Sequence, residues 1–127
     1  AQNPVFLYFE DPFQRPYPFI PHIAIAVDEV YDQKIRALDA HASQFHEYLP
    51  HMSGDMGETP EDESERIEWL KLHWTFPISP EVRGALAQWY GAERAHQIKH
   101  SEAFEIAEYG HQPSEEDILR LFPMIPR

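Results

Sequence analysis

Positions 23–28 of the chain read Ile-Ala-Ile-Ala-Val-Asp, and this stretch predicts the strand-to-helix step around which the fold is built. Ile23, Ile25 and Val27 alternate with alanines, which is the two-residue period of a strand. The alanine face is small, so a helix could pack closely against it. Asp28 follows at once, and a short acidic side chain here is a typical helix N-cap.

The helix after this strand is predicted to run from Val30 to Leu49. Apolar residues recur there at alternating steps of four and three, the period of a helix with one buried face. Pro50 marks the expected end of the helix. The stripe consists of Tyr31, Ile35, Leu38, Ala42, Phe45 and Leu49.

Two further segments precede this step. Val5–Phe9 is a continuous apolar run, which favours a strand buried on both faces. The segment 12–21 holds four prolines among aromatic residues, so regular structure is not expected. A packed surface loop is the preferred interpretation. An aromatic lid or pocket wall, or a polyproline ligand for a partner, are the alternatives.

Later in the chain, hydroxyl residues before acidic or apolar stretches predict helix starts. Thr59-Pro60 and Ser79-Pro80 each pair a cap with proline at the first helical position. Ser114 with Asp117 is a capping box. Residues 101–109 fit either a strand or a helix end, and we favour a strand. The chain is therefore expected to be α/β, with two or three strands and about four helices.

Composition limits the classes of function. The net charge of −12 argues against nucleic acid and against membrane as partners, because both attract basic surfaces. The absence of cysteine excludes disulfides and thiolate metal sites, and the cytoplasm is the expected location. The chain opens without Met and supplies few strands for an independent parallel sheet. We therefore expect a piece of a larger domain.

Standard catalytic motifs are absent from the sequence: there is no GxSxG, P-loop, GxGxxG or HExxH. His96 and His100 stand four residues apart and could share a metal on a helix, but two solvated histidines are the preferred interpretation. A more suggestive pattern lies beside the apolar stripe of the 30–49 helix. Lys34, His41 and Gln44 form a polar column along its edge, placed either to border a pocket or to dock the helix on backbone carbonyls.

The same helix carries a resemblance to a known family. Its stretch Lys34-x-x-Ala-Leu-x-x-His41-x-Ser43-Gln44 resembles the K-x-x-A-L-x-x-H-x-S-Q stretch in the C-terminal half of PIG-L/LmbE-type deacetylases. The tail is similar to that of a bacterial branch of the family, and the resemblance covers essentially the whole chain. The matching tail segments are Trp-Tyr-Gly at 89–91, Glu-Ala-Phe-Glu-Ile at 102–106 and Tyr-Gly-x-Gln-Pro-Ser at 109–114.

This resemblance implies a function in the removal of N-acetyl groups from N-acetylglucosamine-type substrates. Residues 1–127 would be the C-terminal part of a single Rossmann-like domain, and a homo-oligomer is possible. The family's zinc motif, A-H-P-D-D-E, is absent, since no His-x-x-Asp-Asp occurs here. We therefore expect zinc in the parent enzyme, none in this chain alone, and no catalytic residue or metal ligand within it.

The residues that the pattern and the resemblance single out are Lys34, His41, Ser43 and Gln44. Their implied role is to border the substrate pocket or to fix the junction between helix and sheet, and the isolated chain is expected to be inactive. The alternative is a non-catalytic binding or interaction module that keeps the family fold, with the aromatic loop and the acidic face serving a partner.

Overall fold

The computed structural model describes residues 3–54 and 56–127, which divide into two compact units. A sheet unit comprises the chain up to Asp28 together with Ile78–Arg127, and a helical unit comprises Glu29–Pro77. The strands are β1 (Val5–Phe9), β2 (Ile23–Ala26) and β3 (Ser101–Gly110). The helices are α1 (Tyr31–Asp39), α2 (Leu49–Ser53), α3 (Glu63–Trp74), α4 (Pro80–Tyr90), α5 (Ala92–Gln97) and α6 (Glu115–Leu121), with a 3-10 turn at Asp28–Val30 and a π-helix at Ser43–Tyr48.

The three strands form one antiparallel sheet in the order β1-β3-β2. Phe104, near the middle of β3, lies between Phe9 of β1 and Ile23 of β2. The mixed α/β class, the strand at 101–109 and the strand at 23–27 are confirmed. The described residues contain more helical segments than the four or so expected. The reason is that the helical unit, Glu29–Pro77, contains several short helices.

The core of the sheet unit lies where α4 packs against β2. Ser79 caps α4 as predicted, its hydroxyl accepting from the Val82 amide at 3.2 Å. Gly91 ends the helix with φ of 81°, which favours glycine. The Tyr90 hydroxyl accepts from the Ala26 amide at 3.1 Å and so joins the helix to the strand. Ser114 and Asp117 form the predicted capping box of α6.

β1 is a strand as predicted, but the expectation that both its faces are buried is wrong. Phe6 is 41% exposed and Phe9 is 68% exposed. The reason is position: β1 pairs only with β3 in the described part of the chain and therefore lies at an edge of the sheet. A continuous apolar run resembles the pattern of a central strand, although here it occupies an edge.

The proline-rich segment after β1 has no regular structure, as predicted. Two of its aromatic side chains are open to solvent, with Phe13 71% and Tyr17 51% exposed, whereas Phe19 packs against the core. One buried contact holds the segment to the sheet: the Ile20 amide donates to the carboxylate of Glu105, which is only 8% exposed, at 3.0 Å. None of the helices in the described ranges is long and apolar enough to cross a bilayer.

Three predicted helix boundaries are wrong. Asp28 does not cap α1; its carboxylate instead accepts from the Lys99 and His100 amides at 3.2 and 3.0 Å. Thr59 does not cap α3, whose N-cap is Asp62. Pro50 does not end a helix but lies in the first turn of α2, where its missing N–H costs no helical hydrogen bond.

In the helical unit α1 packs against α3. Ile35 of α1 and Leu70 of α3 are fully buried, while Ile67 and Trp74 are half-buried. The hydroxyls of Tyr31 and Thr75 are hydrogen-bonded, which joins the start of α1 to the residue after α3.

Gly110 provides a test of the sheet unit. Its φ is +86°, and a Cβ there would lie 2.6 Å from both the Phe6 side chain and the Pro4 carbonyl oxygen. We expect Gly110→Ala to lower the free energy of unfolding by at least about 1–2 kcal/mol, the cost of a left-handed residue with a side chain. Urea unfolding followed by tryptophan fluorescence measures this.

Gly84→Ala is the matched control, since Gly84 lies within α4 and a Cβ there would meet open space. It should leave stability unchanged or raise it by roughly 0.5–1 kcal/mol, because alanine is the better helix former. Equal stability of the Gly110→Ala protein and the wild type would contradict the structure at the end of β3.

Candidate functional site

The predicted helix from Val30 to Leu49 is interrupted, and the interruption falls inside the family-like stretch. α1 ends at Asp39, and the His41 amide then donates to the Leu38 carbonyl at 3.0 Å, a tighter three-residue spacing. A π-helix follows at Ser43–Tyr48. We call Ala40–His41 the helix break. Single π-helical turns within helices occur often at functional sites.

The four predicted site residues lie on both sides of the helix break. Lys34 is on α1 and is half-buried. His41, Ser43 and Gln44 follow within one turn, and all three are exposed. The Gln44 amide donates to the His41 carbonyl at 3.0 Å, so these two residues keep a fixed spacing. The expected column on one continuous helix is therefore wrong, because His41 lies within the break, and the break separates Lys34 from Ser43 and Gln44.

Beside the helix break lies an ion cluster that the sequence pattern did not predict. The Arg66 guanidinium on α3 binds the Asp39 carboxylate with two hydrogen bonds, Nε to Oδ1 at 2.5 Å and Nη2 to Oδ2 at 3.1 Å. Arg66 Nη1 also donates to the Glu61 carbonyl at 2.9 Å. This planar two-point contact is the strong form of an arginine–carboxylate pair.

His46 joins the same carboxylate from the π-helix. Its Nε2 lies 3.0 Å from Asp39 Oδ1 and 3.1 Å from the Asp39 backbone oxygen. Both neighbours are acceptors, so Nε2 carries a proton and donates. The imidazole thereby satisfies a carbonyl at the C-terminus of α1, where helical carbonyls lack partners within the helix. We call Asp39, His46 and Arg66 the clamp.

The clamp is mostly buried. The side chains of His46, Asp39 and Arg66 are 11%, 16% and 22% exposed, whereas both partners of the Arg36–Glu63 pair in the same unit are 68% exposed. His46 Nδ1 is buried without a hydrogen-bond partner in the described residues. The His46 backbone oxygen accepts from the Thr59 hydroxyl at 3.1 Å, and Trp69 lies beside the ring.

The electrostatics of the clamp follow from this arrangement. The hydrogen bonds from Arg66 hold the pKa of the Asp39 carboxyl below its ordinary value, and the charges of Arg66 and His46 act in the same direction. Burial opposes them by raising the pKa, but it is the weaker influence. Asp39 is therefore a carboxylate at neutral pH and in moderate acid.

The described residues hold no group of three or more His, Asp or Glu side chains arranged to bind a metal ion. His96 and His100 do not share a helix face, because α5 ends at Gln97. The His100 ring is instead bound to Asp28, with Nδ1 3.0 Å from Oδ1. Among the residues that the structure describes, the histidines and carboxylates are not grouped as a zinc site requires, so no step through a metal is derived from them.

No family model, no curated protein and no solved structure matches this chain. The site is therefore interpreted from its own geometry. Around the helix break an imidazole, a hydroxyl and a carboxamide are exposed within one turn, at His41, Ser43 and Gln44. Such groups supply both donors and acceptors, which suits a polyhydroxylated or amide-bearing ligand better than an apolar one.

Lowering the pH tests the clamp. A carboxyl whose pKa is lower in the folded than in the unfolded chain stabilises the fold above the unfolded pKa of about 3.9, and that contribution is lost as the pH falls through the folded-state pKa. We expect Asp39→Asn to lower the free energy of unfolding at pH 7. As the pH falls through the unfolded pKa of about 3.9 and below it, the free energy of unfolding of the Asp39→Asn protein should decline less steeply than that of the wild type. Urea unfolding at a series of pH values measures both.

Asp32→Asn is the control, because Asp32 lies in the same unit and pairs with Lys71 while its side chain is 80% exposed. Its effect at pH 7 should stay within about 0.5 kcal/mol. An Asp39→Asn protein with the stability and pH dependence of the wild type would contradict the structure of the clamp.

Proposed function

We propose that this chain is the C-terminal part of a Rossmann-like, zinc-dependent, cytoplasmic de-N-acetylase of the PIG-L/LmbE type. In that enzyme the residues around the helix break would form part of the wall of a pocket for an N-acetylglucosamine-type substrate. The observation that carries the proposal is the exposure of His41, Ser43 and Gln44 together at the break. These are the polar positions of the family-like stretch.

The chemistry of these groups suits the proposed substrate. A sugar presents hydroxyls that both donate and accept, and its acetamido group adds one donor and one acceptor. An imidazole, a hydroxyl and a carboxamide can pair with each of them. Sites that hydrogen-bond a substrate's polar groups discriminate strongly against analogues without those groups. The role proposed for His41, Ser43 and Gln44 is therefore substrate binding and orientation, and Lys34 would border the same wall from α1.

The sheet supports a place within a larger fold. β1 is an apolar edge strand with Phe6 and Phe9 exposed, and such edges normally pair or are covered. Mostly parallel sheets often carry antiparallel strands at one side, so an antiparallel group of strands is compatible with a Rossmann-like parent. Metal binding and the catalytic base would belong to the rest of the enzyme.

A second candidate function is a non-catalytic binding module that keeps the same fold. The exposure of Phe9, Phe13 and Tyr17, at 68%, 71% and 51%, favours it. Aromatic side chains are enriched at interfaces between proteins, and contiguous exposed apolar patches mark interaction sites. The net charge of −12 disfavours nucleic acid and anionic membranes as partners under either proposal.

The two candidates differ in what the gene upstream of Ala1 adds. We expect the upstream-extended protein to bind zinc and to release acetate from N-acetylglucosamine substrates, and the 127-residue chain to do neither. Zinc content by mass spectrometry and an acetate-release assay measure this. An extended protein with neither zinc nor turnover would overturn the deacetylase proposal in favour of the binding module.

The role of the helix break is tested separately in the extended enzyme. We expect His41→Ala and Gln44→Ala each to raise KM by roughly 3- to 10-fold, the value of one lost hydrogen bond, without changing zinc content. His96→Ala is the control, because His96 is an exposed histidine in the other unit. Unchanged kinetics in both variants would remove these residues from the substrate site.

A further inference from the structure

The contact between Asp39 and His46 in the clamp depends on the helix break. Asp39 and His46 are seven residues apart, and in a continuous α-helix they would be about 10.5 Å apart along the axis. Their side chains could not then meet. In the structure His46 Nε2 lies 3.0 Å from Asp39 Oδ1. The contact requires the chain to depart from a continuous α-helix between these residues, as it does at Ala40–His41 and in the π-helix.

The sequence of this segment, by contrast, favours one continuous helix without the break. The stripe from Tyr31 to Leu49 has the spacing of one uninterrupted amphipathic helix, and no proline or glycine lies between these residues to break it. Ala40 and Ala42, which flank His41, both have right-handed helical backbone angles. Local preference is therefore satisfied by a continuous helix, and a tertiary interaction is needed to hold the turn.

We infer that Asp39, His46 and Arg66 act as a positioning clamp that holds the helix break against this continuous helix and so sets the placement of His41, Ser43 and Gln44. The substrate-facing part of the inference rests on the proposed function. Asp39 and His46 are positioning residues, since they act through the backbone between them.

The clamp is anchored on both sides of the break. Arg66 belongs to α3, and its hydrogen bond to the Glu61 carbonyl ties the guanidinium to the segment before that helix. The Thr59 hydroxyl donates to the His46 backbone oxygen from the same segment. The residues 59–66 thus hold Asp39 from one side and His46 from the other, which fixes both ends of the segment that carries the exposed polar groups.

The side chains of the clamp are less exposed than those of the other ion pairs described in the helical unit. They are at most 22% exposed, so solvent and salt screen the clamp less than the Arg36–Glu63 and Lys71–Asp32 pairs. Hydrogen bonds that involve a charged group are also stronger than neutral ones. Loss of the clamp is therefore expected to change the conformation of the helix break. Loss of an exposed ion pair is not expected to do so.

The decisive variant is His46→Phe in the 127-residue chain. Phenylalanine keeps a ring beside Trp69 and removes the Nε2 donor to Asp39 together with Nδ1, which has no hydrogen-bond partner in the described residues. We expect the ¹³Cα chemical shift of His41 to move toward the α-helical value, and the amide signals of residues 40–45 to shift by NMR. His46→Gln, whose amide nitrogen reaches a position close to that of Nε2, should restore the wild-type pattern.

Two matched controls separate the clamp from general destabilisation. Arg36→Gln removes an exposed ion pair of the same unit, and Leu70→Ala weakens the core at a fully buried position. Neither should shift the 40–45 signals selectively. If His46→Phe is folded and leaves these signals as in the wild type, the clamp is overturned. If His46→Phe fails to fold, Arg66→Lys decides: it keeps the charge but loses the two-point contact, and an unchanged pattern there overturns the clamp equally.

The same variants in the upstream-extended enzyme connect the clamp to function. We expect His46→Phe to raise KM for the N-acetylglucosamine substrate by roughly tenfold with zinc content unchanged, and His46→Gln to recover it. Selective NMR shifts without any change in KM would leave the clamp standing and overturn the proposed substrate wall. Unchanged NMR signals would overturn the clamp whatever the kinetics.

Discussion

The helical unit depends on one carboxylate, that of Asp39. It receives two hydrogen bonds from Arg66 on α3, and His46 Nε2 on the π-helix lies 3.0 Å from its Oδ1 and bonds to the Asp39 backbone oxygen. Each of these partners costs free energy to bury, and the arrangement is favourable only because every charge is paired at short distance. The contact therefore demands a particular chain path between residues 39 and 46. The turn at Ala40–His41 and the wider π-helical segment provide this chain path.

The sheet unit depends on a different constraint, the central position of β3. Both other strands pair with it, and the carboxylate of Glu105 on this strand also receives the amide of Ile20 from the proline-rich segment. At its end Gly110 lets the chain pass against Phe6 and Pro4, where a side chain has no room. His22 extends the pairing beyond β2, since its Nδ1 accepts from the Ile106 amide at 2.9 Å. Side chains here complete hydrogen bonds that the short strands cannot supply.

Much of this fold could be predicted from local pattern. The strand β2 follows from alternation, β1 from a short continuous apolar run, and the caps at Ser79 and Ser114 from side chains that bond to nearby amides, all of which are short-range effects. For β3 the local pattern favours a strand but also fits a helix end. The errors arise where a distant partner competes. Asp28 bonds to the amides of Lys99 and His100 rather than to its own helix, and spacing along the chain cannot reveal such a partner. The exposure of β1 was missed for a related reason, because apolar content does not distinguish an edge strand from a central one.

At the candidate site, too, spacing along the chain does not reveal the distant partners of a side chain. The polar column and the resemblance point to His41, Ser43 and Gln44, whereas the spacing along the sequence does not point to Asp39 and His46, the residues proposed to hold them. A helical period places these two on one face but about 10.5 Å apart, so it gives no reason to pair them. Arg66, on another helix, supplies the charge that makes the pairing favourable. A helix break that is stabilised by a residue of another helix does not change the apolar periodicity of the segment that contains the break. Polar residues beside a helical stripe, such as Asp39 and His46, can therefore make tertiary contacts rather than form a solvated face.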